Sequence, residues 1–197
     1  MKFRNLISKI KSSLLFAALS TLYFLASSAP GSSYPFATFV MDAYSGNELH
    51  SQNGRVKLHP ASLTKMMTLY LAFNEVENGN LSLDQRVSIS RNAVYEPPSK
   101  FGYNVGQKVS IRYLIRAAAI RSANDAATAL GEAISGSESE FSKYMTRAAN
   151  AMGMKNTSFR NANGLTASGH LSTAQDMAIL GRRLLYDFPE YFHLFGR

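Results

Sequence analysis

Two polar pairs carry the chemistry of this sequence. In His59-Pro60-Ala61-Ser62-Leu63-Thr64-Lys65-Met66-Met67 a serine precedes a lysine by three residues, at what reads as a turn into a helix. Pro60 has no backbone donor to lose there and presets φ for a helix start. Residues three apart on a helix share a face, so the Lys65 amine can approach the Ser62 hydroxyl. That hydroxyl is a weak nucleophile until a neighbouring base takes its proton. Free backbone N–H groups at a helix start favour the negative charge that develops during attack. The pair therefore reads as nucleophile and base for acyl transfer. The plainer reading is a capping serine and a solvated lysine, and the same spacing recurs at Ser8 and Lys11.

The second pair is Ser122 and Asn124, a hydroxyl and a carboxamide in a short break between two apolar helical stretches. Such a pair can relay a proton to a leaving amine and hold a substrate amide. Ser-x-Asn also occurs at Ser45, Ser51 and Ser90. Only the Ser122 copy lies between apolar helices, where a polar loop must face something.

The elements that position these pairs follow from periodicity and turn chemistry. Residues 34–42 are rich in β-branched and aromatic side chains, a strand signal, and 48–52 return as a second strand after the turn at 43–47. Leu63, Met66, Met67, Tyr70, Leu71 and Phe73 give the next segment a broad apolar face, predicting a largely buried helix that ends near Asn78-Gly79-Asn80. Residues 81–90 read as short extended or mixed structure, and 96–104 as loop. Helices are predicted over 111–120, 125–134 and from Ser137 or Ser139 to Met152. After the Asn- and Gly-rich loop at 157–169, Ser172 with Gln175 makes a capping box for a helix to about Tyr186. A hairpin followed only by helices is an uncomfortable order, because two strands alone are marginally stable.

Composition narrows the class. The first eleven residues carry Lys2, Arg4, Lys9 and Lys11 and no acid; an apolar run at 14–25 and Ala26-Ser27-Ser28-Ala29 follow. That is the order of a secretory signal peptide, expected over 1–28, with the domain over 29–197. An uncleaved leader is the alternative, and the only membrane association expected. Of the formal net charge of +8, the leader accounts for half, leaving a modest, scattered excess that does not mark a nucleic-acid binder. There is no cysteine, hence no disulfide and no thiolate metal site. His50, His59, His170 and His193 lack ligand spacing, so no metal or other cofactor is expected.

With both pairs in view, the sequence resembles the low-molecular-mass penicillin-binding proteins, specifically the serine D-alanyl-D-alanine carboxypeptidases. Ala61 to Thr68 looks like that family's nucleophile segment, and Ser122-Ala123-Asn124-Asp125-Ala126-Ala127 is similar to its second motif. Asn163-Gly164-Leu165, Gly169-His170 and Ser172 to Ala178 resemble a third stretch that borders the family's cleft. The likeness covers about residues 34 to 190. It implies an α+β, β-lactamase/transpeptidase-like domain in which an N-terminal hairpin and a helical block belong to a larger sheet. It implies an exported protein of the periplasm or cell envelope, acting on peptidoglycan stem peptides ending in D-Ala-D-Ala and captured covalently by β-lactams. Ser62 would attack, Lys65 would accept the proton, Ser122 would pass it to the departing D-alanine, and Asn124 would hold the substrate backbone. The family's Lys-Thr-Gly triplet does not occur in these residues. The expectation is therefore a chain truncated before that strand, weakly active or inactive and poorly stable. Two other readings stand beside this one. A non-catalytic envelope fragment is one; a β-lactamase is the other, disfavoured because 157–169 contains no acid for deacylation.

Overall fold

The structure is a computed structural model that describes residues 36–196; the expected leader at 1–28 lies outside them. Strands β1 (Thr38–Met41) and β2 (Glu48–Gln52) pair antiparallel as the expected hairpin, Phe39 opposite Ser51 and Val40 opposite His50. Their turn is tied by Asp42, whose Oδ1 accepts from the Ser45 amide (2.7 Å) and hydroxyl (2.6 Å). A 3₁₀ turn (Ala61–Leu63) then leads into α1 (Thr64–Glu77). From Thr64 to Phe73 every residue of α1 except Met66 is buried. A helix buried on all sides is the centre of a core rather than its edge.

The segments that enclose α1 are β3 (Arg86–Ser88), α2 (Arg91–Val94), β4 (Lys108–Ser110), α3 (Ile111–Arg121), α4 (Asn124–Ser135), α5 (Glu138–Ala151), α6 (Ala174–Asp187) and α7 (Pro189–Phe192), closed by a 3₁₀ turn at His193–Gly196. Helices α3, α4, α5 and α6 all pack on α1, and α6 also covers β1. Phe73 is sandwiched by Phe188 (5.7 Å between centroids) and by a stacked Tyr191 (4.4 Å). Each such large apolar side chain contributes about 1.5–3 kcal/mol on burial.

The structure corrects the expected element list at three places. β3 and β4 form a second antiparallel pair, Val87 opposite Val109; three-residue strands are too short to show a period of two. Ser62 sits in the 3₁₀ turn, not in the α-helix itself. The cap of α6 is Thr173, which accepts from the Asp176 amide (3.0 Å), because the Ser172 hydroxyl is engaged with Thr157 (2.8 Å).

Candidate active site

The junction of the 3₁₀ turn with α1 brings the first pair together. Ser62 in that turn and Lys65 in the first turn of α1 stand three positions apart on one face, and Lys65 Nζ lies 3.1 Å from Ser62 Oγ. Ser62 is exposed while Lys65 is 3% exposed. Lys65 also donates to the Asn163 carbonyl at 2.7 Å. Burial pulls its pKa down to about 8, against the opposing pull of the Glu96 carboxylate. Near neutral pH about a tenth of such an amine is unprotonated, enough to act as a base.

The loop before α6 is fastened to the first turns of α1 by three polar contacts. Besides Lys65 on Asn163, Thr68 Oγ1 donates to the Ala162 carbonyl (2.6 Å). Thr64 Oγ1 lies 2.8 Å from His170 Nε2. His170 Nδ1 accepts from the Arg160 amide (3.1 Å), so the ring proton resides on Nε2 and is given to Thr64. Burial, followed by the charges of His59 and Arg160, lowers the His170 pKa to about 4 and keeps the ring neutral. Gly164 is required at the seam. Its φ is +91°, and a Cβ there would overlap the Ala61 carbonyl. Ala61 itself has a positive φ of 48° directly before the serine.

The second pair is built differently from the first. Ser122 closes α3 in the left-handed region (φ 52°, ψ 33°), half exposed. Among the described residues its hydroxyl makes no hydrogen bond, to Ser62 or Lys65 included. Asn124 opens α4 and holds the 97–99 loop: its amide donates to the Ser99 carbonyl (2.7 Å) and its Nδ2 to the Pro97 carbonyl (2.8 Å). Asp125 fixes the rest of that loop, accepting from the Phe101 (2.9 Å) and Gly102 (2.8 Å) amides.

A polar chain leads from the Ser62–Lys65 pair to Glu96 by way of α4. One turn beyond Asn124, Thr128 Oγ1 accepts from Asn163 Nδ2 (3.1 Å) and donates to Glu96 Oε1 (2.9 Å). The path thus runs Glu96, Thr128, Asn163, Lys65, Ser62. Burial raises the Glu96 pKa, with Glu138 and Glu132 adding to it. Glu138 Oε1 in turn accepts from the Ala162 amide (3.1 Å). The lack of an acid within 157–169 is therefore not the lack of an acid beside it. Glu96, Thr128 and Asp125 escaped the reading of spacing because no local pattern marks them. Asn163 and His170 lie in the third stretch singled out above, without an assigned role. Among the described residues no cluster of His, Asp and Glu could hold a metal, and no helix is long and apolar enough to cross a membrane.

The fold and the lysine-paired serine define a penicillin-binding-protein type of α+β domain. Residues 28–196 match the family profile "D-alanyl-D-alanine carboxypeptidase", and the chain belongs to that family. It is 40% identical over 140 residues to the carboxypeptidase DacF of Bacillus subtilis, covering 71% of this chain and 36% of the relative. The crystal structure of DacD from Francisella tularensis superposes with a TM-score of 0.79 at 41% identity, over 81% of this chain and 38% of that one. Penicillin-binding protein 5 from Haemophilus influenzae gives 0.77 at 34%, over 83% and 50%. The chain thus spans half or less of each of these proteins.

Proposed function

We propose that this domain carries the acylation site of a serine D-alanyl-D-alanine carboxypeptidase. Ser62 Oγ attacks the carbonyl of the penultimate D-alanine of a peptidoglycan stem peptide while Lys65 takes its proton. Ser122, whose hydroxyl is uncommitted among the described residues, passes the proton to the departing D-alanine. Asn124 holds the substrate backbone, and water then releases the acyl group. Covalent catalysis of this kind divides one hard step into two easier ones. No cofactor enters any step. β-Lactams would acylate the same serine, in a protein exported by its leader to the periplasm or envelope.

The observation that carries this reading is the 3.1 Å approach of a buried, pKa-lowered amine to an exposed hydroxyl. The test is labelling with a fluorescent penicillin, alongside release of D-alanine from a D-Ala-D-Ala pentapeptide. Stable labelling that vanishes in Ser62→Ala supports the reading. Rapid turnover of the penicillin would favour a lactamase, and no labelling at all would favour a non-catalytic role.

A further inference from the structure

A concavity of about 550 Å³ opens beside α3, between β3, β4 and the 101–103 loop. Helix α3 buries Ile111, Leu114, Ile115, Ala117 and Ala118. Exposed Tyr113 and Arg116, half-buried Ile120 and buried Ala117 of the same helix line the cavity. A helix face that merely meets water takes polar residues throughout; here Ala117 and Ile120 make an apolar floor instead.

Around that floor stand four cations, Arg86, Lys108, Arg116 and Arg121. Among the described residues none of the four is ion-paired to a carboxylate. The acid in the lining, Asp84, is already taken by Arg112 (3.1 Å). Like charges gathered without counter-charges repel one another and raise the local concentration of anions. Between them lie aromatic rings. Phe101 stacks on Tyr103 (5.0 Å between centroids), and Phe101 and Tyr113 are both more than 60% exposed. Tyr103 is 7% exposed, and its hydroxyl has no hydrogen-bond partner among the described residues. Burial, with the Asp125 charge, pushes that phenol up to about 12, so it remains a donor.

The geometry points to a second binding site, for a muramyl-peptide portion of the peptidoglycan strand. The apolar face of a sugar ring lies on the exposed aromatic rings, and the carboxylates of its peptide meet the arginines and the lysine. Aromatic walls with a few convergent polar groups are the general makeup of small-ligand sites, and guanidinium groups favour carboxylates through paired N–H donors. The assignment rests on the carboxypeptidase reading, which supplies a polymer bearing both rings and carboxylates. Arg121 lines the cavity and immediately precedes Ser122, so a strand held here is tethered at the helix end that presents that serine. Tethering makes the second engagement effectively intramolecular.

The probe is N-acetylglucosaminyl-N-acetylmuramyl tripeptide, which lacks D-Ala-D-Ala and gives Ser62 no bond to attack. It is titrated by calorimetry into the full chain carrying Ser62→Ala, so that binding is read without acylation. Saturable one-to-one binding is expected, weakened tenfold or more by Arg116→Glu and by Tyr113→Ala, and threefold or more by the milder Arg116→Gln. Chitotetraose, with rings and no carboxylates, and the free tripeptide, with carboxylates and no rings, should each bind at least tenfold more weakly. The inference is overturned by no saturation at millimolar probe, by chitotetraose or free tripeptide binding as tightly as the probe, or by undiminished binding in variants that melt like the parent. Binding of the disaccharide tripeptide probe, in a chain whose parent penicillin never labels, would sink the catalytic reading alone.

Discussion

Lys65 Nζ is closer to the Asn163 carbonyl (2.7 Å) than to Ser62 Oγ (3.1 Å). The shorter hydrogen bond therefore aims the lysine, and the longer one leads to the proposed nucleophile. A carbonyl accepts and cannot donate, so the contact holds the amine in place without supplying a proton. Removing the amine removes the proposed base. Lys65→Gln is expected to slow penicillin acylation by about 10²–10⁴, the usual range for a lost general base. Single-turnover labelling kinetics would show it, and labelling at the parental rate would remove Lys65 from the mechanism.

Glu96 opposes the burial of Lys65, since its negative charge raises the lysine pKa that desolvation lowers. In Glu96→Gln that upward pull is gone, so the pKa of Lys65 falls further below about 8. The acid limb of the acylation rate should accordingly move to lower pH. A profile that stays in place, or moves to higher pH, would show that Glu96 does not act on Lys65.

His170 is neutral in the folded chain because burial lowers its pKa from 6.5 to about 4. The folded value lies below the unfolded one, so the unfolded chain binds more protons between them. Stability should be fully present above pH 6.5 and decline as the pH falls toward 4, by on the order of 3 kcal/mol from this group. Denaturant unfolding across that window in the parent and in His170→Gln tests it. The variant should lose stability overall and lose this component of the pH dependence.

Gly164→Ala combines a left-handed backbone with an overlap on the Ala61 carbonyl. The left-handed strain alone costs about 1–2 kcal/mol, and relief of the overlap must displace the turn that carries Ser62. A lower melting temperature together with slower acylation is the expected outcome. A change in melting temperature with unaltered acylation would mean that the seam does not set the serine.

The hairpin was legible from its β-branched and aromatic residues and its turn, and the buried central helix and the helical block because each spans enough residues for a period to show. The Ser62–Lys65 approach was legible too, since three-residue spacing brings side chains together in either kind of helix. β3 and β4 were not, each being three residues long with nineteen residues between them. Glu96 was hidden for another reason. It reaches Thr128 across 32 positions of chain, and nothing local to Tyr95-Glu96-Pro97 encodes a partner so distant. Asp125 looked like a trailing residue of a motif, yet it is fully buried and anchors two backbone amides of a loop more than twenty residues upstream.

Because α1 is enclosed by four other helices, its amides cannot exchange with solvent through fraying at one edge. Deuterium should enter Met67 to Phe73 only when the whole domain opens. Drug capture at the mouth of such a helix would then double as a head-count of native molecules, since a chain that has lost its interior no longer holds the lysine beside the serine.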